Sequence, residues 1–490
     1  MKKISLFLLF TFLSFQIFSQ ISKQNHSINV ALQRLKNDKD LKNASFGCFV
    51  KDLTSGEIIA EYNADLSLIP ASNMKVITTA AALEVLGENF RFATTIEYDG
   101  EIDTAKRTLN GNIYIKGGAD PTLGSKHFAE TRSRNFLLQW TEAIKKLNID
   151  TINGKIIADA EIIDKDVVSP RWCWQDIANW YGTPAFGISI YDNQYSIFFE
   201  SGKKKGDSTK IIEIRPQIPN LVIENRVFSE DANTDDAYIF GAPYSYFRLI
   251  NGTIPKNKSK FEVIGSLPDP PNFAATEFRN FLRENKIFVR DSASSIRELK
   301  LKNQYSIKKR KKISQTFSPS VKEICFQTNM HSNNLFCEHL MMQIALQKDS
   351  VATIEKGCRS IYDFWKSKGM EMQGINLEDG SGLSKYNLLT TKHLVFVLEF
   401  MRDKESFYKS LPVAGESGTL SWMCKGGAAQ GKVRAKSGSI FKVRAYSGYA
   451  ETASKRKLGF SILVNNFTCS EKEMWQKLVP FLNALAELNI

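Results

Sequence analysis

Three short groups of residues carry side chains that can make and break an acyl bond. The first is Ser72-Asn73-Met74-Lys75. Residues three apart share one face of a helix, so the lysine amine can reach the serine hydroxyl. A lysine removed from water can be neutral enough to act as a base. The spacing alone is cheap. Ser201-Gly202-Lys203-Lys204 and Ser306-Ile307-Lys308-Lys309 repeat it in polar, lysine-rich stretches with no apolar helix behind them. For Ser72 the competing reading is an ordinary exposed helix start. The second group is Ser332-Asn333-Asn334, where two helical patterns meet and a loop can present Ser332 and Asn334 together. Its alternative is a helix N-cap, for which Ser and Asn are favoured residues. The third is Lys436-Ser437-Gly438-Ser439, closing a strand. A strand edge can hold a substrate backbone, Gly438 permits close approach, and Lys436 with Ser437 can bind a carboxylate. The alternative there is a polar edge strand leading into a turn.

The elements that must position these groups can be read from periodicity. Pro70 restrains the entry to a helix starting near Ser72; Met74, Val76, Ile77, Ala80, Leu83 and Leu86 recur at helical spacing, and Gly87 is its C-cap. Before it, Gly47 to Tyr62 reads as a hairpin turning at Thr54-Ser55-Gly56. From Phe90 to about Pro270 the pattern changes to short strands, including Asn112 to Ile115, Tyr195 to Glu200, Lys210 to Ile214 and Leu221 to Val227. Asp269-Pro270-Pro271 reads as the exit from this block, and helical patterns return at Ala274 to Glu284, Asn333 to Gln347 and Thr391 to Arg402. Lys432 to Ser437, Val443 to Glu451 and Leu458 to Asn465 form an antiparallel meander. A last helix opens with the capping box Ser470/Glu473 and contains Pro480. The expected fold class is α/β in the α+β sense: an antiparallel sheet flanked by helices, built from both chain ends, with a β-rich insertion between them.

Composition narrows the function classes. The chain has 490 residues, enough for roughly three domains at about 150 residues each. Its 43% hydrophobic content excludes a disordered or low-complexity chain. Five histidines, none in a His-Glu-x-x-His helix, argue against a zinc enzyme, and neither metal nor organic cofactor is expected. Residues 1–19 read as a secretory signal: Lys2 and Lys3, then an apolar run from Ile4 to Phe18, too short for the roughly 20 residues of a membrane-spanning helix. The expected location is the periplasm. A formal charge of +13 suits peripheral association with membrane or cell wall, while nucleic acid is not an expected partner. The densest basic run, Arg297 to Lys312, reads as an exposed loop, with a docking surface as the other reading. Seven cysteines are scattered, and sequence cannot pair them.

Taken in order, Ser-x-x-Lys, Ser-x-Asn and Lys-Ser-Gly resemble the penicillin-recognising serine enzymes. The gap from Ser72 to Ser332 is far longer than that from Ser332 to Lys436, and the β-rich block must fill it. With that gap the chain resembles the class C low-molecular-mass penicillin-binding proteins, D-alanyl-D-alanine carboxypeptidase/endopeptidases, over nearly its whole length. Supporting segments are Pro70 to Lys75, Gly117 to Leu123, Asp379 to Ser384 and Ala414 to Leu420. The resemblance implies a β-lactamase/transpeptidase-like domain at 20–92 and 290–490, one inserted domain at 93–185 and 265–289, and a second β-rich one at 186–264. It further implies that Lys75 deprotonates Ser72, that the amides of Ser72 and Ser439 hold an oxyanion, and that Ser332 relays a proton to the leaving amine. Asn334 would hold the substrate amide, Lys436 and Ser437 the terminal carboxylate, and Gly438 the close strand approach. Peptidoglycan peptides are the implied substrates and β-lactams the implied covalent inhibitors.

Some positions depart from that pattern. Ser437 stands where Thr is common, a hydroxyl for a hydroxyl. Asp176, in Trp174-Gln175-Asp176, is similar to the family's acid for a diamino acid side chain; the alternative is a surface turn acid. Lys385 falls where a relative has arginine, which keeps charge but loses bidentate recognition. Phe441 replaces a polar contact. Three rival functions are weaker. A β-lactamase lacks support because no Glu-x-x-Leu-Asn segment lies between the first two motifs, and a Ser-His-Asp esterase because no Gly-x-Ser-x-Gly elbow exists. A non-catalytic wall-binding or penicillin-sensing protein would not need both Ser72 and Lys75.

Overall fold

The computed structural model describes residues 27–490, so the secretory signal expected at residues 1–19 lies outside the described residues. The chain divides into two compact units. The first comprises residues 27–81, 325–332 and 361–490; the second comprises residues 82–324 and 333–360.

The first unit is organised by a five-stranded antiparallel sheet in the order Val433–Ile440, Val443–Glu451, Lys457–Asn465, Ser45–Asp52, Ile58–Tyr62. The two chain ends meet where Ser45–Asp52 pairs with Lys457–Asn465 along its full length. On one side, Ile28, Leu32 and Leu35 from helix 27–36 and Met474, Leu478, Phe481 and Leu485 from helix Glu471–Glu487 form a core with Val50, Phe460 and Ile462. The capping box is present: the Glu473 amide donates to Ser470 Oγ at 3.2 Å, and the Ser470 amide to Glu473 Oε2 at 2.9 Å. Tyr449 Oη donates to the Leu398 carbonyl at 2.7 Å, fixing helix Thr391–Phe400 to the sheet. Strands covered this way on both faces are apolar almost throughout rather than alternating, and eight of the nine residues of Lys457–Asn465 are buried.

The second unit contains a five-stranded mixed sheet: Ser294–Ser295, Ile156–Asp159, Ile113–Lys116, Arg91–Tyr98 and Lys311–Ser320. Trp140, from helix Asn135–Lys145, packs edge-on against Phe136 and Phe278 and donates its indole N–H to Thr316 Oγ1 at 2.9 Å. Two three-stranded sheets follow, one centred on Gln194–Glu200 and the other on Phe247–Pro255.

Two local expectations need correction. Asp269-Pro270-Pro271 does leave the β-rich block, after strand Phe261–Ser266, but it also starts helix Pro270–Glu284 ahead of the expected Ala274, with Asp269 Oδ1 accepting from the Asn272 amide at 3.0 Å. Proline is suited to a helix's first turn, where its missing N–H costs nothing. The basic run is not one exposed loop either. Ile296–Leu301 is helical, Lys311–Ser320 is a strand paired with Arg91–Tyr98, and Arg310 is largely buried against Asp159 and the Tyr114 ring. Among the described residues none of the seven cysteines is in a disulfide, and six of them are buried.

Candidate active site

The turn that carries the first motif is set by its neighbours. Ala71 takes a left-handed φ of 46°, Ala71–Asn73 forms a 3-10 turn, and the α-helix Met74–Val85 continues from it. Lys75 is fully buried, and its Nζ lies 3.0 Å from Ser72 Oγ and donates to the Ser381 carbonyl at 2.7 Å. The loop supplying that carbonyl is tightly specified. Asp379 accepts from the Gly382 amide at 2.7 Å and the Ser384 amide at 2.6 Å, while Thr78 Oγ1 donates to the Gly380 carbonyl at 2.7 Å. Gly382 has φ +84°, and a Cβ there would sit 1.8 Å from the Ala71 carbonyl oxygen, so only glycine lets this loop close on the serine turn.

The third motif brings a second buried lysine. Lys436 Nζ donates to Ser332 Oγ at 3.0 Å and to the Ser437 carbonyl at 2.7 Å. Ser332 itself has a left-handed φ of 57°, an unfavourable backbone state for serine that is common at functional sites. Ser437 Oγ donates to Thr419 Oγ1 at 2.7 Å. The two lysine–serine pairs are joined at Gly438, whose hypothetical Cβ would lie 2.7 Å from the Pro70 carbonyl and 2.8 Å from Asn73 Nδ2. Below them, Asn329 donates to Thr79 Oγ1 and Ser410 Oγ, at 3.1 and 2.8 Å. Burial holds the imidazole of His331, next to Ser332, below its usual range. Ser72, Lys75, Ser332 and Lys436 are thus two hydroxyl–amine pairs on adjoining backbone, a set suited to acyl transfer without a metal ligand among them.

A model of the D-Ala-D-Ala carboxypeptidase 3 (S13) family matches residues 28–485. The chain belongs to this family. It is a serine-type D-Ala-D-Ala carboxypeptidase. Among its relatives, the D-alanyl-D-alanine carboxypeptidase DacB of Haemophilus influenzae is 24% identical over 456 residues, 90% of this chain and 89% of the relative. The D-alanyl-D-alanine carboxypeptidase of Actinomadura sp. is 26% identical over 445 residues, 88% of this chain and 79% of the relative. The crystal structure of penicillin-binding protein 4 from Haemophilus influenzae superposes with a TM-score of 0.79 at 23% identity, covering 94% of this chain and 98% of that one. The same protein has been solved with a β-lactam (TM-score 0.72, 22% identity, covering 94% and 97%). The expected α+β class, with a helix-flanked antiparallel sheet, is the fold of this carboxypeptidase.

The other candidate residues are placed as follows. In the first unit, Lys385 is exposed and among the described residues makes no hydrogen bond or ion pair, Ser439 is exposed on strand Val433–Ile440, and Phe441 is 76% exposed at the turn that follows. In the second unit, Asn333 rather than Ser332 caps helix Asn334–Ala345, accepting from the Phe336 amide at 3.0 Å. The N-cap alternative for this motif is therefore met by its middle residue, leaving the flanking side chains for other work. Asn334 Nδ2 donates to the Tyr181 carbonyl at 2.7 Å, and Tyr181 Oη donates to Asp176 Oδ1 at 3.1 Å. Burial and the adjacent Asp176 raise the Tyr181 phenol well above its ordinary value, so it stays a donor. Asp176 is half-buried in this chain of contacts.

Two participants escaped the sequence reading, although both lie in segments that carried the resemblance. Ser381 contributes a backbone carbonyl, which no side-chain pattern announces. Thr419 holds the Ser437 hydroxyl from a segment read only as a signature. Among the described residues, no group of three or more His, Cys, Asp or Glu side chains is placed to hold a metal ion.

Proposed function

We propose that this carboxypeptidase works through an acyl-enzyme on Ser72. What carries the reading is the 3.0 Å contact between Ser72 Oγ and the fully buried amine of Lys75. Burial disfavours the ammonium form, and with a neutral amine the same contact lets the hydroxyl donate to Nζ. Lys75 then takes the Ser72 proton as Oγ attacks the carbonyl of a D-Ala-D-X bond, with the backbone amides of Ser72 and Ser439 facing the developing oxyanion. The C–N bond breaks, the leaving amine receives a proton through Ser332, and water later cleaves the ester. Asn334 holds the substrate amide, and Lys436 with Ser437 binds the terminal carboxylate. The Ser332–Lys436 contact at 3.0 Å supports coupling between proton delivery and carboxylate binding.

The substrates on this reading are peptidoglycan stem peptides, with cleavage of crosslinks as well as of terminal D-Ala, in the periplasm after export. The inserted residues 93–185 with 265–289, and 186–264, act as two accessory domains, and the basic surface supports peripheral contact with wall or membrane. β-Lactams act as covalent inhibitors; the β-lactam complex of the Haemophilus protein supports this. Asp176 pairs with the amine of a diamino acid side chain, and Lys385 adds positive charge beside the substrate. Digestion of purified muropeptides, read by mass spectrometry, tests the reading. Loss of one alanine from pentapeptides is expected, dimers becoming monomers marks endopeptidase action, and unchanged muropeptides would overturn it.

A further inference from the structure

The second unit contains a cavity of about 760 Å³, within the size range of ligand sites, that uses none of the residues assigned to acyl transfer. Its polar anchor is Arg297. The guanidinium lies 3.5 Å above the centre of the Tyr244 ring; among the described residues Arg297 makes no direct hydrogen bond or ion pair, and its charge acts on the buried Asp269 across the cavity wall. A stacked arginine keeps its planar donor fork free along the edge, the geometry that matches a carboxylate bidentately.

The platform under Arg297 is held from three sides. The Tyr244 amide donates to the Pro268 carbonyl at 2.7 Å, its hydroxyl donates to the Lys165 carbonyl at 3.2 Å, and Phe186 packs edge-on at 5.8 Å. Tyr244 also sits at φ 65°, a backbone state costly for an aromatic residue and frequent at ligand clamps. On the other side Arg297 rides on a short helix anchored by buried Ile296 and Leu299. Both halves of the stack are therefore fixed before any ligand arrives.

The remaining walls choose among anions. Ile163, Val167, Phe186 and Val351 form an apolar side, while Glu161, Asp164 and the buried Asp269 put negative charge near the basic residues Lys165 and Lys300, with Lys300 paired to Glu161. A free phosphate would gain nothing from the apolar side and, with no amine to offer them, would be repelled by the three acids. A short peptide with a terminal carboxylate, small apolar side chains and an amine satisfies all three kinds of wall. We propose that this cavity binds the carboxylate end of such a peptide, with Arg297 as the carboxylate fork and the acids receiving its amine.

The test is calorimetric titration of the full chain, pretreated with benzylpenicillin, with the peptide L-Ala-L-Lys-D-Ala, whose single carboxylate is its C-terminus. The C-terminally amidated peptide and inorganic phosphate are the comparison probes. One binding event is expected, weakened at least about tenfold by amidation and by Arg297→Gln. Arg297→Lys, which keeps charge without the fork, should bind between wild type and Arg297→Gln. Hydrolysis by the untreated Arg297→Gln protein should match wild type. No binding of the free-acid peptide, or binding indifferent to amidation or to Arg297→Gln, overturns the proposal. So does Arg297-dependent binding of phosphate tighter than that of the peptide. Failure of benzylpenicillin to form an adduct would count against the Ser72 reading instead, and the comparison of wild type with Arg297→Gln would still report on this cavity.

Discussion

Replacing Gly438 by alanine perturbs the site without removing any polar group. The added Cβ would stand 2.7 Å from the Pro70 carbonyl oxygen, 2.8 Å from Asn73 Nδ2 and 3.2 Å from Ala445 Cβ. The first contact is with backbone and cannot be relieved by a rotamer change, so strand Val433–Ile440 must draw away from the serine turn by about half an ångström to restore carbon–oxygen van der Waals contact. Overpacking of this kind costs about 1–3 kcal/mol of stability. The larger effect should be kinetic, because Lys436 and Ser437 ride on the displaced strand while Ser72 and Lys75 do not. A misplacement of about 1 Å can cost about a hundredfold in rate. A fall of about 10- to 100-fold in the second-order rate of acylation by benzylpenicillin is expected, equivalent to about 1.4–2.7 kcal/mol. Stopped-flow or quenched acylation, with circular dichroism to establish the fold, measures it. A folded Gly438→Ala protein that acylates at the wild-type rate would refute the claim that this strand contact sets the spacing of the two lysine–serine pairs.

Other outcomes follow from the same geometry. Lys436→Ala should lose far more activity on peptides with a free carboxylate than on an amidated analogue or a simple thioester; equal losses on all three point to a structural lysine. Asp176→Asn should slow hydrolysis of peptides with a free diamino acid amine by about 10- to 150-fold, the kinetic equivalent of a charge-assisted contact of about 1.5–3 kcal/mol. The same variant should leave benzylpenicillin acylation nearly unchanged, and parallel changes in both reactions would contradict the assignment. Buried His339 bonds the Ala119 carbonyl through Nδ1 at 2.7 Å and Ser189 Oγ through Nε2 at 2.9 Å, and burial lowers its pKa to about 3. Between that value and the unfolded value of about 6.5 the unfolded chain binds the extra proton, so stability falls as pH falls. From neutrality to pH 5 the His339 contribution should drop by about 2 kcal/mol. Denaturant titrations of wild type and His339→Gln at the two pH values should show a shallower pH dependence in the variant; parallel dependences would refute this.

The proposed chemistry is legible where side chains would carry it at short spacing. Ser72 and Lys75 lie within one turn, and the apolar run behind them marked that turn as a buried helix while the two lysine-rich repeats lacked one. The meander and the Ser470/Glu473 box were legible because strand alternation and capping are local. What escaped was backbone chemistry and long-range pairing. The Ser381 carbonyl is brought to Lys75 by Asp379 and Gly382, and nothing in the residue type of Ser381 signals it. The left-handed backbone of Ser332 cannot be foreseen from serine. Asp269-Pro270-Pro271 can begin a helix as well as end a strand block, and only the Asn272 amide on Asp269 shows that a helix starts there. The basic run misled because arginine buries readily when it stacks: Arg297 lies on Tyr244 and Arg310 on Tyr114, so charge density alone did not mean exposure.

Intact-mass and peptide-level mass spectrometry after incubation with benzylpenicillin addresses the nucleophile most directly. A single penicilloyl adduct on the fragment containing Ser72 is predicted, absent from a folded Ser72→Ala protein. An adduct that persists in Ser72→Ala, or that maps to another residue, would contradict acyl transfer through Ser72.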